Sequence, residues 1–313
     1  MNILLLYGGN SLERPGSLAS GKNMLNALKE IEVTLYTMDY KDDVQQLINF
    51  LQNTKIDLII NSMHGKNGED GVAQGFFEVM KIPYIGAGVL GGALAMNKFM
   101  SKLVLKGAGF HIAEGIYVKK EVKHNIPVML EDSELNYPLI IKPNNQGSKL
   151  GINLVYDEEH LMNSVDNAFL NDEEIVIEQF IHGREIAVCM YYKDCKKNFL
   201  PIVEVCHNSF DQTFMLNEKS NLMIPARISQ SENEQVINIA NTVFDLFAIR
   251  DYGRIDMIIC DGACYILEVS NIPGFAEMSI FPKAIQSTGL ANITVLKDII
   301  NSALERYDLN GIE

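Results

Sequence analysis

Strand-like and helix-like patterns of apolar residues alternate along the first third of the chain. An apolar run from Asn2 to Tyr7 ends at Gly8-Gly9, and apolar residues then recur at helical spacing from Leu18 to Leu28, behind Ser17 as a predicted N-cap. Strands that alternate with helices predict a parallel sheet with crossover helices. Further elements are predicted as a strand near 31–37, a helix near 43–53, a strand at 56–62 and a helix at 72–80.

In sheets of this kind, ligands bind beyond the carboxyl ends of the strands. Gly8-Gly9 and Met63-His64-Gly65 directly follow two of the predicted strands. We therefore expect both loops to line a site.

The pattern changes after a helix predicted from about Leu90 to Gly107. The segment YPLIIKPNNQGSKLGINLVY predicts a strand, a glycine-bearing loop and a second strand, followed by a helix near 157–169 and a strand at 174–179. These shifts predict domain boundaries near 97 and 182, and hence domains at 1–97, 98–182 and 183–313. The last of these domains has predicted strands at 185–193, 198–206, 252–259 and 263–269, and helices near 231–248, 276–288 and 293–306.

Composition narrows the class of protein. An apolar fraction of 47% over 313 residues is enough for two or three cores, so disorder is excluded. The net charge of −14 arises from 40 acidic and 26 basic residues without a dense basic run, which argues against nucleic acid and anionic membranes as partners.

The predicted compartment is the cytoplasm. The chain enters a strand at once, and no apolar stretch reaches the roughly 18 residues that a spanning helix needs. The odd set of five cysteines has no paired CxxC spacing, which is typical of reduced thiols rather than of disulfides or zinc. These cysteines are Cys189, Cys195, Cys206, Cys260 and Cys264.

The most informative stretch is GRIDMIICDGACYILEVSNIPG. It predicts two apolar strands that meet at Asp261-Gly262 and carry Arg254, Asp256 and Glu268. A two-residue turn would place Asp256 opposite Leu267, with the two carboxylates on opposite faces of the ribbon. A three-residue loop would place Asp256 directly opposite Glu268. We expect the longer or bulged loop.

In that register the two carboxylates repel each other, so a positive group must compensate them. A divalent cation would do so, and Mg²⁺ usually arrives with phosphate oxygens that complete its shell. The alternative is a carboxylate paired with Arg254 on a solvent-facing sheet.

The sequence signals for phosphate binding, taken one at a time, are weaker than the acidic hairpin. The loop from Asn145 to Gly151 offers backbone N–H groups, a hydroxyl and a lysine, but it lacks the GK[ST] ending of a Walker A motif. A loop without a ligand is the alternative. Lys98 and Lys142 could contact phosphates or could be solvated charges, and His64 could be a base, an orienting group or a satisfied loop histidine.

Taken in order, five segments resemble the D-alanine:D-alanine ligase family of the ATP-grasp superfamily, and they span roughly residues 3–305. They are GGNSLERPGSLASG, MHGKNGEDGVAQGFFEVMKIPYIGAGVLGGALAMNK, PLIIKPNNQGSKLGI, IEQFIHGREI and GRIDMI with YILEVSNIPGF. The resemblance implies α/β and α+β parts in an ATP-grasp fold. Its domains would be an N-terminal Rossmann-like parallel-sheet domain, a small central α+β domain and a mostly antiparallel C-terminal α+β domain.

The resemblance also implies a dipeptide-forming reaction. The carboxylate of the first amino acid attacks the γ-phosphorus of ATP, and the amine of the second then displaces phosphate from the acylphosphate. Glu13 would anchor the first ammonium group, and Arg254 with the Gly274 N–H would form an oxyanion hole. The implied catalytic set is Glu13, Ser148, Arg254 and Gly274, and the substrate set is Glu13, His64, Ser279 and Ile280.

ATP and Mg²⁺ are the implied cofactors, with two Mg²⁺ ions that Mn²⁺ could replace. The implied metal ligands are Asp256, Glu268 and Ser270. The implied ATP-binding residues are Lys98, Lys142, Gly147, Glu178, Gln179, Phe180, Ile181, Glu185 and Lys219. Amino acids are the expected small-molecule partners, and the expected assembly is a homodimer.

Three departures from the family pattern bear on activity. Ser270 replaces an Asn metal ligand, and Ser220 stands where a lid tyrosine is usual. Pro15-Gly16 replaces Glu-Val, which removes a side chain expected against the first substrate's methyl group. Three interpretations stay open: D-alanyl-D-alanine synthesis for peptidoglycan, a specialised ligase with a larger or different substrate, and an ATP-binding pseudoenzyme that lost turnover through Ser270.

Overall fold

The structure is a computed structural model that describes residues 1–206 and 221–309. Its helices are α1 (Arg14–Leu28), α2 (Val44–Asn53), α3 (Val72–Met80), α4 (Val89–Met96), α5 (Lys98–Gly107), α6 (Ile126–Glu131), α7 (Leu161–Ala168), α8 (Gln230–Leu246), α9 (Ile280–Ser287) and α10 (Asn292–Arg306), with a 3₁₀ helix at Lys120–Asn125. Its strands are β1 (Asn2–Gly8), β2 (Thr34–Tyr40), β3 (Leu58–Asn61), β4 (His111–Ile112), β5 (Gly115–Lys119), β6 (Leu139–Pro143), β7 (Asn153–Val155), β8 (Glu174–Gln179), β9 (Arg184–Lys193), β10 (Lys196–Phe199), β11 (Val203–Cys206), β12 (Asn221–Met223), β13 (Tyr252–Cys260) and β14 (Ala263–Ser270).

The N-terminal sheet is parallel, with the strand order β2-β1-β3. Successive residues of β1 face opposite sides of the sheet, as the period of a strand requires. Leu4 and Leu6 join the core under α2 and α3, whereas Ile3 and Leu5 join the core shared with α1, α9 and α10. The predicted parallel sheet with crossover helices is confirmed.

The middle sheet is antiparallel, with the order β5-β8-β6-β7. Its core includes Ile141, Val165 and Ile177, so α7 covers one face of the sheet. Strand β5 and helix α6 lie outside the elements predicted from the sequence.

The large C-terminal sheet has the order β12-β11-β9-β13-β14-β4, and β10 pairs with β9. All these pairings are antiparallel except that of the short β4 with β14. Strand β9 is buried on both faces, because Ala187 and Cys189 face the core of α10 while Ile186 and Val188 face that of α8. The mostly antiparallel sheet agrees with the prediction, and the exact domain boundaries stay predictions.

Three predicted helix starts are wrong, among them that of the helix predicted from residue 157, which begins at Leu161. Helix α1 begins at Arg14, where Pro15 suits the first turn because its fixed φ is already helical. Ser17 therefore lies inside the helix. Its hydroxyl accepts a hydrogen bond from the Gly8 N–H and donates one to the Ser62 carbonyl, both at 2.7 Å. The helix predicted from residue 276 begins at Ile280.

Two continuous predictions are interrupted. The single helix predicted from Leu90 to Gly107 is two helices, because Asn97 has an extended backbone and its side chain caps α5 through the Met100 N–H. The strand predicted at 198–206 is likewise two strands, β10 and β11.

In the described part of the chain, every helix is too short or too polar to traverse a lipid bilayer.

Candidate active site

A cavity of about 460 Å³ lies where loops and strand ends of the three sheets meet. This volume is within the usual range for small-molecule sites. Its walls contain all but two of the site residues predicted from the sequence: Glu13, His64, Lys98, Lys142, Gly147, Ser148, Glu178, Gln179, Phe180, Ile181, Glu185, Arg254, Asp256, Glu268, Ser270, Gly274 and Ser279.

The remaining predictions for this cavity have different outcomes. Ile280 does not line it, because its side chain packs against the core shared by α9 and α10. Lys219 lies outside the described residues, as does Ser220. Gly8-Gly9 does not line the cavity either, so the expectation for that loop is wrong, whereas His64 of the second loop does line it. The Gly8 N–H instead binds Ser17 inside the domain.

The β13–β14 hairpin brings two acidic side chains together. Asp256 and Glu268 are direct partners in the strand pairing. The turn itself has only two residues, since Cys260 pairs with Ala263, so a longer loop is the wrong expectation. A β-bulge produces the register instead: Asp256 pairs with Glu268 and Met257 with Ile266, which leaves Leu267 as the extra residue.

Arg254 binds Asp256 from the same strand. Its Nε donates to both carboxylate oxygens at 2.9 and 3.1 Å, and one terminal nitrogen donates to Oδ2 at 2.7 Å. Burial raises the pKa of Asp256 to about 6, against the opposing charge of Arg254 and with a further contribution from Glu268. Lys98 Nζ lies 4.0 Å from Glu268 Oε2. Asp256 is therefore paired with Arg254, as the alternative interpretation predicted, but the pair lies in the cavity and not on a solvent-facing sheet.

These residues fit a magnesium ion. Asp256 and Glu268 present hard oxygen donors to one cavity, and Ser270 lines the same wall. The hydrogen bonds from Arg254 do not occupy every acceptor site of Asp256, because a carboxylate has about four lone-pair sites. Among residues 1–206 and 221–309, no group of three or more His, Cys, Asp or Glu side chains forms a metal cage. Mg²⁺ commonly takes one or two carboxylates and completes its shell with water and phosphate.

The loop after β6 is tied to the N-terminal domain. Glu13 Oε1 accepts a hydrogen bond from the Gly147 N–H at 3.0 Å, and Oε2 accepts one from the Ser148 hydroxyl at 2.5 Å. Glu13 is free to reach across because it holds the N-cap position of α1 without a capping bond. Lys98 Nζ donates to the Gln146 carbonyl of the same loop.

Beneath this loop lies a buried cluster of two lysines and one glutamate. Lys142 Nζ donates to Glu178 Oε2 at 2.9 Å, and Lys102 Nζ lies 3.2 Å from Oε1, within ion-pair distance but outside hydrogen-bond geometry. Burial opposes ionisation of Glu178, but the two lysines together hold its pKa below the ordinary value. Burial also lowers the pKa of Lys102.

Lys102 is a functional candidate that sequence reasoning missed. The available signal is its spacing: Lys98 and Lys102 stand four residues apart, so they lie on one face of α5.

His64 contacts a second missed residue, Ser20. The Ser20 hydroxyl accepts a hydrogen bond from the Phe275 N–H at 2.9 Å and lies 3.0 Å from His64 Nε2. Burial, with the nearby charge of Arg254, lowers the pKa of His64 to about 4, so the ring is neutral at pH 7. Glu13, Gly16 and Ser20 follow helical spacing along one face of α1, which is the signal for this wall.

Glu69 is a third residue missing from the predicted set. It lines the cavity, and its Oε1 accepts a hydrogen bond from the Gly65 N–H at 2.6 Å. Burial, reinforced by the charge of Glu13, raises its pKa well above the ordinary value. Burial and the Glu13 carboxylate thus both oppose ionisation of Glu69.

At the far wall, Gly274 stands next to Ser279. A Cβ atom on Gly274 would lie 3.1 Å from Ser279 Oγ, closer than an ordinary contact. Ser279 is the N-cap residue of α9, but its side chain makes no capping bond. Its hydroxyl is thereby available to the cavity that both residues line.

Comparisons with known proteins identify relatives over nearly the whole chain. The family model for the D-ala D-ala ligase C-terminus matches residues 104–301, and the model for the D-ala D-ala ligase N-terminus matches residues 40–87. The D-alanine–D-alanine ligase of Halalkalibacterium halodurans is 32% identical over 98% of this chain and 100% of the relative. D-alanine–D-alanine ligase B of Clostridium perfringens is 34% identical over 98% and 99%.

Solved structures give the same result. The D-alanine–D-alanine ligase from Bacillus anthracis, complexed with ATP, has a TM-score of 0.81 at 28% identity and covers 98% of this chain and 99% of its own. The VanG D-Ala:D-Ser ligase from Enterococcus faecalis has a TM-score of 0.81 at 26% identity, over 96% and 99%.

Proposed function

The chain belongs to the D-alanine:D-alanine ligase family of ATP-grasp enzymes, and from that premise we propose that it condenses two D-alanine molecules at the expense of ATP. One observation carries the proposal. A single cavity gathers an acidic pair, a glycine-bearing loop, buried lysines and the carboxylate of Glu13 from three separate sheets. D-alanyl-D-alanine for peptidoglycan is the corresponding product.

ATP is proposed to lie between the middle and large sheets. Lys98, Lys142 and the loop at Gly147-Ser148 would neutralise and bind its phosphates, because cations and backbone N–H groups suit a phosphate chain. The purine and ribose would lie against the end of β8 and the start of β9. The residues there are Glu178, Gln179, Phe180, Ile181 and Glu185.

Asp256 and Glu268 are the proposed Mg²⁺ ligands, with Ser270 as a shorter third donor. When bound, the metal would neutralise charge on the transferred phosphoryl group. Arg254 holds Asp256 in place through three contacts and also faces the cavity.

The proposed chemistry proceeds in two transfers. Glu13 holds the ammonium group of the first D-alanine while its carboxylate oxygen attacks the γ-phosphorus, and the bond to ADP breaks. The amine of the second D-alanine, as the free base, then attacks the acyl carbon of the acylphosphate. Arg254 and the Gly274 N–H stabilise the oxyanion, phosphate leaves, and the amine proton is released. Ser279 would bind the carboxylate of the second substrate.

The direct test measures phosphate release and product mass from D-alanine, ATP and Mg²⁺. We expect one phosphate and one ADP for each dipeptide, and we expect Glu268→Ala to abolish turnover while the protein stays folded. Glu277→Ala is the matched control, because Glu277 is exposed and lies outside the cavity. Full activity of Glu268→Ala would remove Glu268 from the metal site. ATP binding without release of phosphate for any D- or L-amino acid would support a pseudoenzyme instead.

The proposed assembly is a homodimer in the cytoplasm. Val72 and Val79 of α3 and Val89 and Leu90 of α4 are 57%, 81%, 45% and 77% exposed, and we call this set the α3–α4 face. The two helices adjoin, since a Cβ on Gly75 would lie 3.8 Å from Val89. A contiguous apolar face of this kind is typical of a protein interface. The five free cysteines are consistent with a reducing compartment.

A further inference from the structure

Gly16 leaves an open space in the wall of the active-site cavity. It lies in the first turns of α1, three residues after Glu13, so both residues face the same side of the helix. A glycine inside a helix destabilises it relative to alanine, because glycine loses more conformational freedom on folding. Its presence in this helix therefore calls for a reason.

Packing supplies such a reason for three other glycines. A Cβ on Gly21, also in α1, would lie 2.6 Å from the Tyr7 ring. A Cβ on Gly147 would lie 2.8 Å from the Glu13 carboxylate, and one on Gly183 would lie 2.4 Å from the Ile259 carbonyl. At Gly16 the nearest atom is His64 Cδ2 at 3.9 Å, which is an ordinary contact. The protein itself does not need a glycine at this position.

We propose that the space between Gly16 and His64 receives the side chain of the first amino acid and admits neutral side chains longer than the methyl group of alanine. This inference rests on the proposed function, because Glu13 must hold the ammonium group of that substrate. The α-carbon of that substrate then lies within a few ångströms of the carboxylate, and Gly16 lines the cavity one helical turn away on the same face.

The surroundings select for a neutral side chain. His64 is uncharged at pH 7 because burial lowers its pKa to about 4, and its Nε2 already contacts Ser20. Glu69 lines the same wall, and burial raises the pKa of its carboxyl group. Glu13 carries a charge that the ammonium group compensates, and the charge of Arg254 also acts on His64. A side chain that brings a further charge into this largely buried wall would lose hydration.

The experiment compares D-alanine with D-serine, D-2-aminobutyrate and D-norvaline as the first amino acid, with D-alanine as the second. Product mass and fragmentation identify the N-terminal residue. We expect wild-type protein to form products with the longer side chains. In Gly16→Ala, and more strongly in Gly16→Val, the ratio of kcat/KM for the longer substrates to that for D-alanine should fall about tenfold or more, as is usual when a pocket loses room for a methylene group.

Gly107→Ala is the matched control, because Gly107 is also helical, has nothing within 4 Å of its Cβ position and lies outside the cavity. It should leave the ratio unchanged. Thermal melting checks that each variant is folded. If Gly16→Val does not fold, Gly16→Ala alone provides the test. Wild-type protein that ligates D-alanine but rejects every longer side chain would overturn this inference alone, as would an unchanged ratio in the folded Gly16 variants. Failure to ligate any amino acid would overturn the proposed function as well.

Discussion

Replacing Glu178 by glutamine should destabilise the folded protein strongly. The change keeps the size of the side chain but removes the negative charge that pairs with both Lys102 and Lys142. Glu178 is 1% exposed, and the two lysines are 7% and 8% exposed. Two ammonium groups would thus remain in a buried pocket without a counter-ion.

Two limits set the expected loss in the free energy of unfolding. Removing one partner of a buried ion pair costs about 3–5 kcal/mol. The variant can instead release a proton from one lysine, which from the ordinary pKa of 10.5 costs at most about 5 kcal/mol at pH 7. Burial already lowers the pKa of Lys102, so this route costs less than that limit. We therefore expect a loss of about 3–5 kcal/mol in the free energy of unfolding.

The pH dependence gives a sharper test. The unfolded chain keeps its lysine protons up to about pH 10.5, whereas the folded variant releases one at a lower pH. Folding of the variant therefore becomes relatively more favourable as pH rises, and its deficit against wild type should shrink between pH 7 and 10.

Urea unfolding of wild type, Glu178→Gln and Glu114→Gln at several pH values measures both effects. Glu114 pairs with Lys106 at 2.7 Å on the surface, and the two side chains are 64% and 56% exposed. Its replacement should change stability by about 1 kcal/mol at most. Adding Lys102→Met to Glu178→Gln should restore part of the loss. Equal effects of the two glutamine variants, or a deficit that does not vary with pH, would refute the reasoning.

Three further predictions concern other parts of the molecule. The pKa of His64 is about 4 in the folded protein and 6.5 ordinarily, so the unfolded chain binds a proton first as pH falls. Wild type should therefore lose up to about 3 kcal/mol in the free energy of unfolding between pH 6.5 and 4. His64→Asn should lack this part of the pH dependence in urea unfolding. Ser270→Asn should lower the Mg²⁺ concentration for half-maximal activity, because a carboxamide oxygen reaches farther than a hydroxyl; a higher requirement would count against Ser270 as a ligand. Sedimentation should show a dimer that Val79→Lys with Leu90→Glu dissociates; an unchanged dimer would place the interface elsewhere.

Periodicity was sufficient for most elements, but not for β5, α6 or the interruptions. Strands β1 and β3 follow from apolar runs, because a buried parallel strand must be apolar on both faces. The edge strand β2 is only partly buried, and it begins three residues after its predicted start. The break between α4 and α5 depends on one side chain, Asn97, whose capping bond to Met100 competes with a continuous helix. A helical pattern of apolar residues cannot reveal that competition, since both arrangements bury the same positions.

Contacts between distant parts of the chain set a second limit. The pairing of Asp256 with Glu268 could be predicted only as one of two registers, because a bulge at Leu267 rather than the turn decides it. Lys102 resembles any helical lysine until the fold places Glu178 beside it. Glu13 and Ser148, which belong to recognised motifs, were identified. Lys102 and Ser20 were missed because their partners, Glu178 and Phe275, come from distant parts of the chain.

Glu13 joins two parts of the site that the sequence presents as separate motifs. Its carboxylate accepts hydrogen bonds from Gly147 and Ser148 of the proposed phosphate-binding loop, and it is also the proposed anchor for the first ammonium group. A carboxylate has about four lone-pair sites, so it can serve both roles at once. An ammonium group placed there would be held at a fixed distance from the loop proposed to face the ATP phosphates. The same contact that closes the middle domain onto α1 would therefore orient the substrate carboxylate toward the γ-phosphorus, and a change at residue 13 should impair both amino-acid binding and phosphoryl transfer.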